Sequence, residues 1–241
     1  MPVNFRQRST QSEWLDSNAV PPKLLYRNLR ELDFLNRTSG GHSISLEGIK
    51  KLVTDKNKIY NIADLGCGSG DSLKYFAEWA RKNNFKLKLT GVDKNKNAIN
   101  YLEKHCRNYP EIEGFIGDYD SFLNLDRQID IVHCSLFCHH LTDDELVRLL
   151  KKMNSAVRTG FVINDLQRNR MAYFGAKIMT TLLNGSSLSK NDGPVSVLRG
   201  FKQQELNALM KKAGINNFSI HRRRGFRFLV IAETKRDKKP G

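Results

Sequence analysis

The sequence predicts an α/β fold, in which a mostly parallel sheet carries helices on both faces. Short apolar segments alternate with amphipathic segments between residues 59 and 164, as expected for strands joined by crossover helices. A glycine-rich turn at residues 66–70 directly follows the first of these strands. Further helical patterns precede this region and follow it. They predict an N-terminal helical cap and an additional, inserted helix after the fifth strand.

The elements are justified by periodicity and by their boundary residues. Pro21 and Pro22 open a helix whose leucines recur every three or four residues, and the glycines at 40–41 end it. A second helix is predicted over residues 45–54. Strands are then predicted at 59–65, 85–92, 115–116, 129–134 and 160–164, with helices at 72–83, 96–106 and 143–157. After them come an apolar helix at 171–184, a polar loop at 185–200, a helix at 203–213 and closing strands at 216–221 and 226–232.

This order of elements divides the chain into an N-terminal cap and a main domain that contains one insertion. Residues 1–57 form the predicted helical cap and residues 58–241 the main domain. The insertion at about 166–200 contains more apolar residues than one solvated helix face needs, which favours a lid over a binding site. A helix packed in the core explains the same composition.

Composition excludes several classes of protein. The chain has 241 residues, 39% of them hydrophobic, and no apolar run approaches the ~20 residues that cross a bilayer. The N-terminus has no apolar signal core, so a cytoplasmic location is predicted. Four cysteines do not make a disulfide framework. The run from Cys134 to His140 contains four potential metal ligands, but no second cluster accompanies it, and no metal site is predicted.

The clearest motif is the run from Asp64 to Gly70, with glycines at every second position from Gly66. Such glycines let the backbone turn tightly and let a ligand approach it closely. Asp71 stands where a dinucleotide-binding loop has its last glycine, and its charge would repel a phosphate. The Gly-Lys-Ser/Thr signature of triphosphate loops is also missing. An adenosine ligand with a cationic amino-acid end, such as S-adenosylmethionine, fits better.

Acidic residues follow three consecutive predicted strands, at the edge where open α/β sheets bind ligands. Asp64 can meet the ligand's ammonium group, Asp93 can accept from both ribose hydroxyls, and Asp118 can accept from the adenine amino group. A single aspartate after a strand is commonly a helix cap, so the prediction depends on the three together. The predicted cofactor contacts are Asp64, Gly66, Cys67, Gly68, Ser69, Gly70, Asp93, Lys94, Asp118, Tyr119 and Ser135.

In this order, the motifs resemble those of class I S-adenosylmethionine-dependent methyltransferases over about residues 58–165. The resemblance implies a Rossmann-like, seven-stranded sheet with an antiparallel last strand. It also implies S-adenosylmethionine as the methyl donor and S-adenosylhomocysteine as the product. The two predicted closing strands agree with such a sheet.

A second set of segments narrows the resemblance. Residues 136–145 (LFCHHLTDDE), 162–168 (VINDLQR) and 191–201 (NDGPVSVLRGF) are similar to bacterial small-molecule methyltransferases of the ubiquinone and menaquinone type. Residues 13–16 and 36–42 also suit that group, whose members are often associated with aromatic polyketide pathways. The resemblance implies O- or C-methylation of a phenol- or quinol-like acceptor.

Candidate residues for the acceptor follow the fourth and fifth strands. His139 and His140 are candidate catalytic bases because histidine titrates near neutrality, although either one could instead cap a helix or pack in the core. A polar cluster after the fifth strand could bind the acceptor or simply end the strand. The predicted acceptor-binding residues are Asn164, Asp165, Arg168 and Arg199.

The uneven distribution of charge along the chain leaves other functions open. Residues 161–241 carry 16 basic and five acidic residues, a net charge of +11, whereas residues 58–160 carry only +1. Such a field attracts an anionic partner: an acidic or carrier-bound acceptor, nucleic acid, or an acidic membrane surface contacted peripherally. The alternatives are therefore an RNA or protein methyltransferase and a non-catalytic, S-adenosylmethionine-binding regulatory protein. RNA is disfavoured because the Asp/Asn-Pro-Pro-aromatic loop of amino-methylating enzymes and a Pro-Cys nucleophile are both missing.

Overall fold

The computed structural model describes residues 3–17 and 20–234, and in them seven strands form one mixed sheet. The spatial order is β3-β2-β1-β4-β5-β7-β6. The strands are β1 (Ile59–Leu65), β2 (Lys86–Asp93), β3 (Ile112–Ile116), β4 (Ile129–Ser135), β5 (Val157–Leu166), β6 (Phe218–Arg223) and β7 (Arg227–Glu233). The first five run parallel, and β7 is antiparallel to both β5 and β6. The α/β class and the antiparallel closing strand predicted from the sequence are confirmed.

Helices cover both faces of this sheet, and most begin or end at the predicted signals. They are α1 (Pro22–Ser39), α2 (Gly41–Leu52), α3 (Asp71–Asn83), α4 (Lys96–His105), α5 (Tyr119–Leu123), α6 (Asp143–Ala156), α7 (Arg170–Leu182), α8 (Ser187–Arg199) and α9 (Gln203–Lys212). Two short 3-10 helices span Trp14–Asp16 and Cys138–His140. Gly40 ends α1 at a φ of 79°, and a capping box between Thr142 and Glu145 begins α6.

The N-terminal helices share the core of the sheet. Ile44 and Ile49 of α2 are buried against Ile62, Val162 and Leu229 of three different strands. α2 approaches the sheet closely at Gly48. A Cβ atom at this position would collide with the side chain of Val162 on β5. The helices predicted as a cap therefore also form one layer of the fold, and α2 fixes where α1 lies.

The predicted polar loop at 185–200 is wrong, because residues 187–199 form α8. Gly193 and Pro194 favour a loop when only local sequence is considered. The hydroxyl of Ser186 accepts from the backbone N–H of Ser189 and caps the helix. Leu188 and other apolar side chains of α8 are buried, and this packing outweighs the weak local propensity.

α7 packs on α8 and leaves a stripe of apolar side chains at the surface. The exposed members of this stripe are Met171, Phe174, Ile178, Met179 and Leu182. The cavity described below is not lined by residues 166–200 among those that the structure describes. A lid role for this insertion stays a prediction. No helix in the described parts of the chain is long and apolar enough to cross a membrane.

Candidate active site

A cavity of about 390 Å³ lies at the carboxyl ends of the central strands. Larger, more open grooves lie at the amino edge of the sheet and beside β6, but parallel sheets bind ligands at their carboxyl edge. The cavity also lies beneath α1, which contributes an apolar wall. Of the predicted cofactor contacts, the following line it: Asp64, Gly66, Cys67, Gly68, Ser69, Asp93, Lys94, Asp118, Tyr119 and Ser135.

The glycine turn has the backbone that only glycine adopts without strain. Gly66, Gly68 and Gly70 have φ angles of 71°, 52° and 75°. A Cβ atom on Gly66 would collide with the ring of Phe137, which follows β4. Gly70 is the one predicted loop contact outside the cavity lining, and its N–H closes the turn by donating to the carbonyl of Cys67 at 2.9 Å. The turn thus exposes backbone directly to the cavity.

Asp64 is held by a chain of buried hydrogen bonds that starts at its carboxylate. Nδ1 of His133 lies 2.7 Å from Oδ1 of Asp64, and Nε2 of His133 lies 2.8 Å from Oγ of Ser45. The side-chain amide of Asn164 donates to the same hydroxyl at 2.9 Å. All four residues are buried. The chain fixes one oxygen of the Asp64 carboxylate at the cavity wall and links the site to α2.

Asp93 supports both neighbouring loops. Its Oδ2 accepts from the N–H of Gly68 at 3.2 Å, and its Oδ1 accepts from the N–H of Asn95 at 2.8 Å. Burial raises the pKa of Asp93, although these two backbone donors act in the opposite direction. The carboxylate is half-buried and lines the cavity, so it can accept from further donors there, and hydroxyl groups are suitable ones.

Asp118 serves as the cap of α5 as well as a cavity wall. Its Oδ1 accepts from the backbone N–H of Ser121 at 2.6 Å, which lowers the pKa of Asp118.

Tyr119 packs edge-on against Phe137, with ring centroids 6.0 Å apart. Leu136, just before Phe137, has a φ of 52°, a value rare for residues other than glycine. The aromatic side chains of Tyr119 and Phe137 thus meet at one wall of the cavity.

The two histidines after β4 have different surroundings. His140 lines the cavity, and its Nδ1 lies 2.8 Å from Oδ1 of Asp16. His139 is buried beside the cavity, and its Nδ1 lies 2.7 Å from Oδ1 of Asp165. Burial lowers the pKa of His139, but Asp165 and Glu13 raise it to about 10. Of the two candidate bases, only His140 borders the cavity.

The comparisons with known proteins agree with this geometry. Residues 62–160 match a family model described as a methyltransferase domain. The protein is an S-adenosylmethionine-dependent methyltransferase. No curated protein matches the chain by sequence.

Solved structures resemble the methyltransferase over most of its length. A methyltransferase from Aquifex aeolicus, dependent on the same cofactor, is 15% identical with a TM-score of 0.62, covering 89% of this chain and 98% of that one. The plantazolicin methyltransferase BpumL, in complex with SAH, is 14% identical with a TM-score of 0.67, covering 89% and 94%. Magnesium protoporphyrin IX methyltransferase from Synechocystis is 14% identical with a TM-score of 0.56, covering 91% and 100%. At these identities the likeness concerns the fold.

The predicted acceptor-binding residues of the methyltransferase lie buried behind the cavity. The guanidinium of Arg168 donates to the carbonyls of Phe5 and Gly200, at 3.1 and 2.5 Å. Arg199 donates to the carbonyls of His139 and His140, at 3.1 and 2.5 Å. Asn164 and Asp165 bind Ser45 and His139, as described above. None of the four lines the cavity among the described residues, so direct contact with the acceptor stays a prediction.

Sequence reasoning missed the N-terminal contribution to this site. Leu15, Asp16, Asn36 and His42 all line the cavity. The sequence places Asp16, Asn36 and His42 only in segments that share the wider resemblance to small-molecule methyltransferases, which gives no role for any one residue. His133 was also missed, although a histidine between the apolar residues Val132 and Cys134 of β4 is a signal that a polar partner lies nearby.

The cysteines of the methyltransferase are unsuited to act as nucleophiles. Burial and the nearby carboxylates of Asp93 and Asp64 hold the pKa of the Cys67 thiol well above its ordinary value. Cys134 and Cys138 are fully buried, and burial likewise raises the pKa of Cys134 well above its ordinary value. The thiol form of Cys67 and of Cys134 therefore predominates near neutrality, which disfavours a covalent route through either residue.

Proposed function

We propose that the protein transfers the methyl group of S-adenosylmethionine to the oxygen or an activated carbon of a small, phenol- or quinol-like acceptor. The observation that carries this proposal is the single cavity in which Asp64, the glycine turn, Asp93 and His140 meet. The first three provide a site for the nucleoside part and the amino-acid part of S-adenosylmethionine. The histidine provides a group that can act on the acceptor.

We assign the cofactor contacts by the chemistry of each part of the ligand. Asp64, fixed by His133, receives the α-ammonium group, and Asp93 receives the ribose hydroxyls. We place the adenine near Asp118 and Tyr119, where the ring of Phe137 packs against Tyr119. The exposed backbone of the glycine turn allows the methionine part to lie against it. Lys94 and Ser135 complete the contact set.

Methyl transfer is an in-line displacement. The bond between the methyl carbon and sulfur breaks while a bond from methyl to the acceptor forms, and neutral S-adenosylhomocysteine leaves. Because the sulfonium is already a good leaving group, alignment is the main task of the protein and contributes roughly 7–11 kcal/mol. A hydroxyl acceptor must also lose its proton, and a positioned base adds about 10²–10⁴-fold to the rate.

The remaining walls of the cavity support an aromatic acceptor. They are contributed mainly by α1, by the short helix Trp14–Asp16 and by the segment after Ser135, and they include Leu15, Leu25, Leu29, Leu32 and Leu141. Apolar walls with a few directed polar groups are typical of sites for small organic ligands. The proteins named above that act on plantazolicin and magnesium protoporphyrin IX are small-molecule enzymes by their names, which favours the same acceptor class here.

The basic C-terminal third gives weaker support to an RNA or protein substrate. Arg168, Arg199 and Arg227 are buried, and their guanidinium groups bind backbone carbonyls and side chains within the fold. Three of the 16 basic residues that predicted an anionic partner therefore have an internal structural role. The basic tail at 235–239 lies outside the described residues.

Replacement of Asp93 by alanine should weaken S-adenosylmethionine binding by about 1–3 kcal/mol, which is roughly a 5- to 150-fold rise in Kd. Two ribose hydroxyls lose their acceptor, and the N–H groups of Gly68 and Asn95 lose theirs. Isothermal titration calorimetry measures this directly. The Asp118→Ala variant serves as the comparison. The Asp118 carboxylate is exposed, so its removal should weaken S-adenosylmethionine binding by less. Wild-type affinity in folded Asp93→Ala protein would refute the ribose assignment.

The acceptor class is tested with methyl-labelled S-adenosylmethionine and a panel of phenols, quinols, bulk RNA and acidic proteins. We expect label in phenols or quinols. The His140→Gln variant should lose about 10²–10⁴-fold in rate toward hydroxyl acceptors while it keeps its cofactor affinity. Label in RNA or protein with none in the small acceptors would contradict the proposal and support the alternative substrate class. Cofactor binding without transfer to any acceptor would favour a regulatory protein.

A further inference from the structure

A cluster of three potential metal ligands lies at the wall of the cavity, where the N-terminal segment meets the loop after β4. Glu13, His139 and His140 each offer one ligand atom, and these atoms lie within 4.8 Å of one another. Glu13 precedes the short helix Trp14–Asp16, and the histidines end the short helix Cys138–His140. Two segments far apart in sequence therefore converge on one point.

Each histidine is oriented from behind by a carboxylate. Nδ1 of His139 faces Asp165 at 2.7 Å, and Nδ1 of His140 faces Asp16 at 2.8 Å. A metal ion at this point would displace any proton on Nε2, while the proton on Nδ1 stays with the carboxylate behind each ring. Both Nε2 atoms face Glu13. Such carboxylate–histidine pairs fix the tautomer and raise the basicity of histidine ligands at metal sites.

The Glu13 carboxylate faces these histidines without a hydrogen bond at its Oε1. Its side chain is only 3% exposed, and Oε1 has no hydrogen-bond partner in the described part of the chain. Oε1 of Glu13 lies 3.4 Å from Nε2 of His139, and Oε2 of Glu13 lies 3.8 Å from Nε2 of His140. These are longer than a hydrogen bond but close to the separation of about 3.3 Å between ligands bound 2.0–2.1 Å from a tetrahedral ion.

We propose that Glu13, His139 and His140 bind one divalent transition-metal ion, with Nε2 of both imidazoles and the Glu13 carboxylate as ligands. Two imidazoles and a carboxylate suit zinc or iron(II), and they leave at least one coordination position open. His140 lines the cavity, so the open position faces the space that the acceptor would occupy.

The proposal predicts metal binding whatever the acceptor is; only the role of the open position rests on the proposed function. A bound ion of this kind lowers the pKa of a coordinated hydroxyl group, which is the activation that a phenolic acceptor needs. Under this inference His140 acts as a ligand, and Asp16 and Asp165 act as positioning residues behind the ligands.

Metal binding is measured on the full chain after chelator treatment, by equilibrium dialysis with Zn²⁺ and elemental analysis. We expect one equivalent per chain. The Glu13→Gln and His140→Gln variants should lose saturable binding, and Asp16→Asn should weaken it by about 10- to 100-fold. The matched controls are His221→Gln, a histidine on β6, and Cys138→Ser, the thiol beside the cluster; both should bind as wild type does.

Cobalt(II) substitution keeps the test decisive if a variant fails to fold. Wild-type protein should show visible d–d bands typical of nitrogen and oxygen ligands, without a thiolate-to-cobalt charge-transfer band. Thiolate bands, loss of binding in Cys138→Ser, unchanged binding in both Glu13→Gln and His140→Gln, or no saturable binding by wild-type protein would overturn the proposal. Cofactor affinity and methyl transfer are measured separately, so failure of the metal site is distinct from failure of the proposed activity.

Discussion

Replacement of Gly66 by alanine should weaken S-adenosylmethionine binding by at least about tenfold and lower the free energy of unfolding by about 1–3 kcal/mol. The φ of 71° at Gly66 costs an L-residue about 1–2 kcal/mol. The new methyl group would also collide with the Phe137 ring. Because the glycine turn and Phe137 both line the cavity, relief of this collision must change the shape of the binding site.

Gly214 offers a matched control for that experiment. It has a similar φ of 78°, but no atom lies within 4 Å of the position that a Cβ would take. Gly214→Ala should therefore lower stability by about 1–2 kcal/mol and leave the Kd for S-adenosylmethionine unchanged. Chemical denaturation and titration calorimetry measure the two quantities. Equal cofactor affinities for the Gly66 variant and the wild type would mean that the turn does not hold the cofactor.

Replacement of Asp165 by alanine should lower the free energy of unfolding of the metal-free protein by about 3–5 kcal/mol. The Asp165 carboxylate is buried and accepts from the ring and the backbone N–H of His139, at 2.7 and 3.2 Å, and from the N–H of Leu166 at 2.7 Å. Its removal leaves buried donors unpaired and leaves Glu13 as the remaining counter-charge for His139. Urea denaturation in the presence of a chelator measures the loss.

Two variants separate this effect from the general loss of an acidic residue. Asp165→Asn keeps one oxygen acceptor of the same shape, so its destabilisation should be smaller than that of Asp165→Ala. Asp144→Ala removes an exposed carboxylate that pairs with Lys212 at the surface, and it should leave stability unchanged. Equal destabilisation by Asp144→Ala and Asp165→Ala would contradict a special role for the buried pair.

That the residues proposed to hold the cofactor share one cavity could be predicted from the sequence, because their arrangement depends on short-range features. The glycine turn is a local conformation, and Asp64, Asp93 and Asp118 each follow a strand. Once periodicity indicates parallel strands, their carboxyl ends must lie along one edge. The structure brings ten of the eleven predicted cofactor contacts to one cavity, and Gly70 supports the turn from just behind it.

The acceptor half was not predictable in the same way. His139 and His140 were singled out by residue type, but their partners Glu13 and Asp16 are more than 120 positions earlier in the chain. The arginines predicted to meet an acceptor bind backbone carbonyls of the N-terminal segment and of the loop after β4. Local composition gives the charge of such residues and says nothing of which carbonyls they reach.

The amino-acid sequence alone therefore determined the α/β class, the position of the glycine turn and the order of the acidic residues at the strand ends, because these follow from periodicities of two and 3.6 residues and from backbone sterics. Only the tertiary structure decided that residues 187–199 are helical, that α1 covers the cavity and that Glu13 meets the two histidines. Each of these depends on contacts between distant segments, whose packing free energy outweighs local preference and leaves no periodic pattern in the sequence.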